Sequence, residues 1–176
     1  MRKVILYIAM SLDGFIASKD GKVDWLHGQN VDEENIDTYS SFIKDVDTVI
    51  MGWNTYYQIK NELSPDNWVY DSLTSYIITH RKLDSTNNIN FVQKNPSELI
   101  RDLKKENGKS IWICGGAKII QPLIQDNLID EYYISVIPTI LGDGIRLFAP
   151  GSNELKLKLK NTQSYNGITE LIYTRR

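Results

Sequence analysis

The 176-residue sequence predicts an α/β protein of three layers, in which helices cover both faces of a mostly parallel central sheet. Short apolar runs alternate with segments whose apolar residues recur at helical spacing, which is typical of parallel α/β sheets. The helical patterns then stop, and Asn166-Gly167 separates two strand-like runs near the end of the chain. This dipeptide is a strong signal for a two-residue turn, so we expect the sheet to end in an antiparallel hairpin.

The predicted strands are short apolar runs bounded by glycine, proline or polar residues. They cover residues 4–10, 48–51, 76–79, 89–92, 110–114, 131–138, 156–160 and 169–174. Residues 156–160 alternate lysine with leucine, which predicts either a protected edge strand or the rim of an interface between subunits.

Three helices are predicted from apolar residues at helical spacing. These residues are Ile36, Tyr39, Phe42, Ile43 and Val46 in the first helix, Leu99, Ile100 and Leu103 in the second, and Ile119, Ile120, Leu123 and Ile124 in the third. In the second helix Asn95 is a capping residue, Pro96 suits the first helical position, and Glu98 stands where a capping-box acid reaches back. Pro122 lies inside the third pattern and predicts a kink or a late helix start.

Composition limits the class of partner and the compartment. Lysine and arginine (20) nearly balance aspartate and glutamate (22) and are scattered, which argues against nucleic-acid and membrane-surface partners. The single cysteine excludes an intrachain disulfide framework. The apolar run at residues 4–10 ends without a small-residue cleavage site, and no run approaches the ~18 residues of a membrane span. We therefore expect a cytoplasmic protein, and the absence of linkers and repeats predicts one domain over residues 1–176.

Three glycine-bearing segments follow predicted strands, where parallel α/β sheets bind their ligands. They are Ser11-Leu12-Asp13-Gly14, Gly52-Trp53-Asn54-Thr55 and Gly115-Gly116-Ala117-Lys118. The paired glycines allow a backbone to approach a diphosphate, and the helix N-terminus behind them presents free N–H groups. Thr55 adds a hydroxyl for a phosphate or ribose. Each segment alone is also an ordinary turn, whereas together they predict a site for a dinucleotide.

Several other chemistries are disfavoured. No Gly-x-Gly-x-x-Gly follows the first strand and no Walker lysine is present, so standard Rossmann binding and phosphoryl transfer are not predicted. His27 and His80 lie far apart without a nearby cysteine, so no metal site is expected. Cys114 has no sequence-local partner, and we interpret it as a buried structural thiol rather than a nucleophile.

The opening strand into Ser-Leu-Asp-Gly, then Met51-Gly52-x-x-Thr55-Tyr56, then Gly115-Gly116-Ala117, resembles the dihydrofolate-reductase-like superfamily. A fourth block is formed by Val136-Ile137-Pro138, Leu141-Gly142-Asp143-Gly144 and Leu147-Phe148. It resembles the reductase domain of the bifunctional riboflavin-biosynthesis deaminase-reductase. The four blocks occur in the family's order and cover nearly the whole chain. The resemblance implies a three-layer αβα fold of the dihydrofolate-reductase type, and a homodimer, because relatives often form dimers.

The resemblance also implies NADPH as cofactor and assigns residues to it. Ala9 and Ile16 would flank the nicotinamide, and Trp25 would contact the cofactor. The residues that would hold the phosphates are Gly52, Trp53, Asn54, Thr55, Gly115, Gly116, Ala117 and Lys118. Those that would meet the adenosine ribose and its 2′-phosphate are Thr79, His80, Arg81 and Lys82. Arg81 and Lys82 favour NADPH over NADH, because a dianionic 2′-phosphate suits paired cations. The alternative is that both are ordinary solvated charges.

Two aspartates are candidate catalytic residues. Asp13 lies in the loop at the mouth of the cleft, and its alternative role is that of a turn residue ahead of Gly14. Asp37 lies near the position of the substrate-protonating acid of dihydrofolate reductases, and it is equally explained as an acid at the start of a helix. Hydride would pass to a C=N or C=O carbon, with the proton coming from water or from one of these carboxyls. A carboxyl can donate near neutral pH only if burial raises its pKa.

The sequence departs from both families. Trp53 stands where dihydrofolate reductases carry an arginine, and no arginine occurs between Tyr56 and Tyr76. Cys114 stands where riboflavin reductases often carry a substrate-contacting glutamate, and there is no deaminase domain. We therefore expect an NADPH-dependent reductase of a small heterocycle, resembling 5-amino-6-(5-phosphoribosylamino)uracil reductase. The alternatives are a dihydrofolate (pterin) reductase and a non-catalytic nucleotide-binding module of the same fold.

Overall fold

An eight-stranded sheet forms the middle layer of the protein, seen in a computed structural model that describes residues 1–30, 32–33, 36–151 and 154–176. The strands are β1 (Val4–Ser11), β2 (Phe15–Ala17), β3 (Val46–Gly52), β4 (Thr74–Ile78), β5 (Ile89–Val92), β6 (Ser110–Gly115), β7 (Glu131–Ile137), β8 (Ile145–Arg146), β9 (Leu157–Tyr165) and β10 (Ile168–Arg175). The helices are α1 (Tyr39–Ile43), α2 (Trp53–Gln58), which continues as a π-helical turn (Ile59–Leu63), α3 (Pro96–Leu103) and α4 (Ala117–Gln125).

The strand order of the main sheet is β5-β4-β3-β6-β1-β7-β10-β9. All neighbours from β5 to β7 are parallel, whereas β10 runs antiparallel to both β7 and β9. This topology confirms the predicted α/β class and the C-terminal hairpin. It also explains why β1 is a continuous apolar run, because a central parallel strand is covered on both faces.

Side chains alternate between the two faces of β1, and each face has its own core. Leu6 packs in a cluster with Ile120 and Leu123 of α4, and all three side chains are fully buried. On the opposite face Ile5 belongs to a second cluster that contains Phe42 of α1. Because consecutive residues of one strand contribute to both clusters, the sheet lies between two layers, as predicted.

The beginnings of α3 and α4 follow the sequence signals to different degrees. The Asn95 side chain accepts a hydrogen bond from the Ser97 N–H at 2.9 Å, and Pro96 is the first helical residue, as predicted. For α4 the sequence predicts a kink or a late start at Pro122, and the late start is wrong, because the helix begins at Ala117 and runs through Pro122 to Gln125. The backbone bond that this proline removes would have gone to the carbonyl of Lys118, an exposed first-turn residue that water can solvate.

The first predicted helix is shorter in the structure, and Val46 belongs to β3 instead. Val46 pairs with Ser110 in the parallel ladder between β3 and β6 and is buried there, so strand pairing overrides its helical spacing from Ile43. The small antiparallel pair β2–β8 and the π-helical turn were not predicted. Both are very short, and neither has a periodicity that could be recognised in sequence.

The hairpin between β9 and β10 turns at Asn166 and Gly167, whose φ angles are 43° and 73°. Two successive positive φ angles are the requirement of the tight turn predicted for this dipeptide. The Asn166 side chain also accepts a hydrogen bond from the Asn30 N–H at 2.9 Å, so the turn holds a distant loop.

β9, which contains the lysine–leucine alternation, lies at the edge of the sheet. Among the described residues, no helix is both long and apolar enough to cross a membrane.

Candidate functional site

The carboxyl ends of β3, β4 and β6 meet at one edge of the sheet. Met51 is paired with Gly115, and Gly52 is paired with Ile78, so these strands end side by side. The segments at residues 52–55, 79–82 and 115–118 therefore follow one another along this edge. The structure thus brings together the three segments to which a phosphate or ribose role was predicted.

The starts of α2 and α4 face each other at this edge. A Cβ placed on Gly116 would lie 3.6 Å from Thr55 Oγ1, and one on Gly52 would lie 3.3 Å from Ile119 Cγ1. Neither helix has a side-chain cap, since Gly52 and Gly116 stand at the two capping positions. In α4 the Ile119 N–H already donates to the Gly116 carbonyl at 2.9 Å, so the N–H groups that an anion could use there are those of Ala117 and Lys118. The peptide bond between Gly115 and Gly116 is cis.

A cationic surface lies next to these helix starts. The Arg81 guanidinium stacks over the Trp53 ring, with its Cζ 4.4 Å from the ring centroid. Thr79 is buried, and its hydroxyl accepts a hydrogen bond from the Arg81 N–H at 3.2 Å, which fixes the turn. Like Arg81, Lys82 and Lys118 are exposed, and within the described ranges none of the three cations forms an ion pair. Their charge is therefore free to attract an anionic ligand.

Two residues predicted to flank the nicotinamide, Ala9 and Ile16, and one predicted to contact the cofactor, Trp25, are divided between two clusters. Ala9 packs against a cluster formed by the buried Trp25, Ile137 and Ile168. Ile16, in the short strand β2, instead packs against the core cluster that contains α4. The structure thus brings Ala9 and Trp25 together and places Ile16 in the other cluster. His80 and Asn54 are exposed at the edge.

Asp13 binds a distant loop through its carboxylate. It accepts hydrogen bonds from Ser11 Oγ at 2.6 Å, from the Leu141 N–H at 3.1 Å and from the Gly142 N–H at 2.7 Å. The Ser11 hydroxyl, and then these backbone N–H groups, lower the pKa of Asp13 to about 2. Asp13 is therefore ionised near neutral pH, whereas a carboxyl that donates a proton there needs a raised pKa.

Asp37 lies just before α1 and is exposed. Its carboxylate accepts a hydrogen bond from the Ser40 N–H at 2.9 Å, and bonds to Ser40 lower its pKa. The alternative interpretation placed Asp37 in the first turn of a helix, whereas it precedes the capping residue Thr38 and bonds to the first turn from there. Its lowered pKa disfavours Asp37, like Asp13, as a proton donor near neutral pH. Asp37 does, however, line a cavity.

This cavity, of about 470 Å³, lies on the face of the sheet formed by β1, β7 and β10, beside α1. Its lining includes Tyr7, Asp37, Thr38, Ser135 and Glu170. Ser135 is the register partner of Ala9 in the parallel pair β1–β7. The cavity therefore extends along the sheet to the strand position beside Ala9, which was predicted to flank the nicotinamide. Its volume lies within the range of small-molecule sites.

Glu170 is a buried acid at this cavity that was not among the residues predicted from sequence. It is only 5% exposed, and its carboxylate accepts hydrogen bonds from Thr38 Oγ1 at 2.7 Å, Tyr165 OH at 2.8 Å and Gln163 Nε2 at 2.6 Å. A signal was available in the strand pattern. Glu170 is two residues from the buried Ile168 and so stands in the inward phase of β10, where an acid is unusual.

Comparison with known proteins agrees with this architecture. A family model described as the RibD C-terminal domain matches residues 2–170. The uncharacterized protein YwjB of Bacillus subtilis (strain 168) is 41% identical over 176 residues, covering 99% of this chain and 98% of that protein. The crystal structure of a protein assigned to riboflavin biosynthesis from Shewanella sp. PV-4 is 30% identical and superposes with a TM-score of 0.83 over 99% of both chains.

A more distant structure is similar in fold. It is the diaminohydroxyphosphoribosylaminopyrimidine deaminase/5-amino-6-(5-phosphoribosylamino)uracil reductase of Thermotoga maritima, with 15% identity and a TM-score of 0.71. The match covers 99% of this chain and 57% of that longer one. The family match over nearly all of the sequence and the shared architecture lead to one conclusion: the chain belongs to the RibD C-terminal domain family, with its dihydrofolate-reductase-like fold.

Proposed function

We propose that the protein is an NADPH-dependent reductase that transfers hydride to a small heterocycle, in the manner of 5-amino-6-(5-phosphoribosylamino)uracil reductase. The observation that carries this proposal is the position of the 470 Å³ cavity. It reaches Ser135, the register partner of Ala9, on a sheet whose neighbouring strands end in the glycine-bearing helix starts. A dinucleotide along that edge and a heterocycle in the cavity would thus be adjacent.

The residues at the edge suit the cofactor. A phosphate would lie against Gly116 and Thr55 at the two helix starts, which have no side-chain caps, and Arg81 and Lys82 would hold a 2′-phosphate. Ala9 and Trp25 would contact the nicotinamide, while Ile16 would approach it from β2. When bound, NADPH supplies the hydride from the nicotinamide C4.

The chain's own contribution is position and exclusion of water. Tyr7 is half-buried and stacks on Phe42 with ring centroids 4.4 Å apart, so one wall of the cavity is a fixed aromatic surface. Such a wall orients a planar ring and shields it from solvent. Because both candidate carboxyls have lowered pKa values, we expect the proton to come from water. Asp13 then acts as a positioning residue for residues 141–142.

The test is a titration of the protein with NADPH and NADH, followed by NADPH oxidation against a panel of pyrimidines, pterins and small carbonyls. Tighter binding of NADPH than of NADH, with turnover of a heterocycle, is the expected result. Failure of both dinucleotides to bind would refute the reductase proposal. Tight NADPH binding with no turnover on any compound would instead favour the non-catalytic nucleotide-binding module.

A further inference from the structure

We propose that Asn107 is a site of spontaneous chemical modification, at which its side-chain amide is lost as ammonia, and that the same reaction is blocked at Asn166 by a loop. Each of these asparagines is followed by glycine, and the Asn-Gly dipeptide occurs only at residues 107–108 and 166–167 of the sequence. This reactivity is a property of the chain itself and is independent of the proposed function.

The reaction joins the asparagine side chain to the backbone of the next residue. A base removes the proton from that residue's backbone nitrogen, the nitrogen attacks the asparagine Cγ, the Cγ–Nδ2 bond breaks and ammonia leaves. Water then opens the succinimide ring at either carbonyl, which gives aspartate or isoaspartate without any transfer of electrons. Glycine obstructs the attack least, because it has no Cβ. The side-chain amide must therefore be free to turn, and the backbone nitrogen must be accessible.

Asn107 and Gly108 meet both conditions. The two residues are exposed and lie between α3 and β6, outside any helix or strand. Among the described residues, neither the Asn107 side chain nor the Gly108 N–H has a hydrogen-bond partner. The Asn107 amide can therefore turn onto the Gly108 nitrogen while the rest of the protein stays folded.

Packing explains why a glycine follows Asn107. A Cβ on Gly108 would lie 2.7 Å from Asp47 Oδ2 and 2.9 Å from Arg2 Nε, which form an ion pair. The same pair holds the next residue, because the Lys109 N–H donates to Asp47 Oδ2 at 2.7 Å and its carbonyl accepts from Arg2 Nε at 2.8 Å. Close packing against this ion pair thus requires the glycine that makes Asn107 reactive.

Asn166 does not meet the first condition, because it is buried and its amide is bonded on both sides. Oδ1 accepts a hydrogen bond from the Asn30 N–H at 2.9 Å, and Nδ2 donates to the carbonyls of Asn30 and Glu33 at 3.0 and 3.2 Å. The Gln29 N–H also donates to the Asn166 carbonyl at 3.0 Å. Because Nδ2 is the atom that must leave, turning the amide toward the Gly167 nitrogen breaks these side-chain bonds.

Loss of ammonia from Asn166 would also release the loop. A carboxylate oxygen would then replace Nδ2 and would face the carbonyl oxygens of Asn30 and Glu33, to which it cannot donate. Asn166 therefore holds the loop, and the loop in return preserves Asn166.

The test follows both dipeptides in one sample of the native chain. After incubation in mildly alkaline buffer, the protein is digested at mildly acidic pH, which keeps the amides from reacting during digestion, and mass spectrometry gives the fraction converted at each position. Asn107 should react on the order of tenfold faster than Asn166 or more, because the bonds to the loop must break before Asn166 can react. Equal rates, or a faster reaction at Asn166, would overturn the proposal.

Incubation in concentrated guanidinium chloride supplies the internal control. Both dipeptides lose their surroundings when the chain unfolds, so their rates should become similar, with the rate at Asn166 rising far more than the rate at Asn107. A difference that persists in the unfolded chain would show that neighbouring residues in sequence cause it, and would refute protection by the loop. A native Asn107 that reacts much more slowly than the unfolded one would refute the proposed site.

Gly28→Ala tests the loop without changing either dipeptide. A Cβ on the buried Gly28 would lie 2.4 Å from both Cγ and Nδ2 of Asn166, so the loop must move away from the turn. The reaction at Asn166 should accelerate several-fold, and the reaction at Asn107 should not change. Gly21→Ala is the matched control, because it strains a φ of 80° nearby but its Cβ would meet no atom within 4 Å; both rates should stay as in the wild type.

Circular dichroism would establish that both glycine variants are folded. A folded Gly28→Ala variant with the wild-type rate at Asn166 would refute protection by the loop, as would an equal acceleration in Gly21→Ala. If Gly28→Ala does not fold, the comparison of native with unfolded wild-type chain decides between the same two outcomes.

Discussion

Replacing Arg81 with alanine should reduce the affinity for NADPH and leave that for NADH nearly unchanged. Arg81 is exposed, and it is not paired with a carboxylate in any described part of the structure. Its described side-chain contact is the stacking on Trp53, with Cζ at 4.4 Å from the ring centroid. The guanidinium is therefore held in place over the edge while its hydrogen-bond donors remain available to a 2′-phosphate.

The size of the effect follows from these contacts. A hydrogen bond to a charged group contributes about 1.5–3 kcal/mol, which corresponds to a loss of roughly tenfold to a hundredfold in NADPH affinity. An exposed cation–π contact contributes about 0.5–1 kcal/mol to stability, so the melting temperature should fall by only a few degrees, on the order of 1–4 °C. Because the site is exposed, the preference for NADPH should also weaken as salt is added.

Calorimetry is the suitable assay, since the change at Arg81 also alters the surroundings of Trp53 and hence its fluorescence. Arg101→Ala is the matched control, because Arg101 is exposed and pairs with Asp126 at the far end of α4 from the site. It should leave both dinucleotide affinities unchanged. If Arg81→Ala weakened NADH as much as NADPH, or weakened neither, the assignment of Arg81 to a 2′-phosphate would be wrong.

Three further predictions concern stability and reactivity. Both Gly142 and Gly144 have positive φ (77° and 155°), but a Cβ on Gly144 would collide with the Ala17 carbonyl oxygen, whereas one on Gly142 meets no atom within 4 Å. In urea denaturation Gly142→Ala should lower the free energy of unfolding by about 1–2 kcal/mol, and Gly144→Ala should lower it by ~1–3 kcal/mol more than Gly142→Ala does. Equal losses of unfolding free energy in the two variants would contradict this. Burial raises the pKa of Cys114 to about 12, so a disulfide reagent at pH 8 should label the native protein far more slowly than the unfolded one, and rapid native labelling would disprove it. Burial alone would raise the pKa of Glu131, but its two lysine partners lower it overall, below the ordinary value of 4.5. The stability that this acid contributes is therefore present above pH 4.5 and lost as the pH falls through its folded pKa, so Glu131→Gln should flatten the acid decline in melting temperature, and a steeper decline would argue against the pairing.

Local signals predicted much of the fold. The Asn166-Gly167 turn and the Asn95 cap could be recognised because each depends on the conformation or hydrogen bonding of a few consecutive residues. Val46 was assigned wrongly because its partner, Ser110, lies far away in sequence and helical spacing alone favoured the other state. Pairing between distant strands decided the outcome there, and no short window contains that information.

The candidate site also has a part that could be predicted from the sequence and a part that depends on contacts between distant residues. The glycines and cations of residues 52–55, 79–82 and 115–118 could be assigned to one edge from the sequence. Each segment follows a predicted strand, and the carboxyl ends of parallel strands lie at the same edge of a sheet. The bonds of Asp13 to the loop at 141–142, and of Glu170 to Thr38, join residues more than a hundred positions apart. Position in sequence made Asp13 a candidate acid, whereas the long-range bonds hold its carboxylate against the loop at 141–142 and hold Glu170 beside Thr38 at the cavity.

The central place of β1 has a consequence for how the protein folds. This apolar strand precedes every other strand of the sheet in sequence, yet its neighbours are β6 and β7, where Val4 pairs with Ile111 and Ile5 with Glu131. During synthesis it therefore waits without partners until most of the chain has emerged. Folds dominated by such distant pairings are reached slowly, and unpaired apolar strands associate with other chains in the meantime. We expect the yield of native protein to depend on chaperones or on low temperature during expression more than its final stability would indicate.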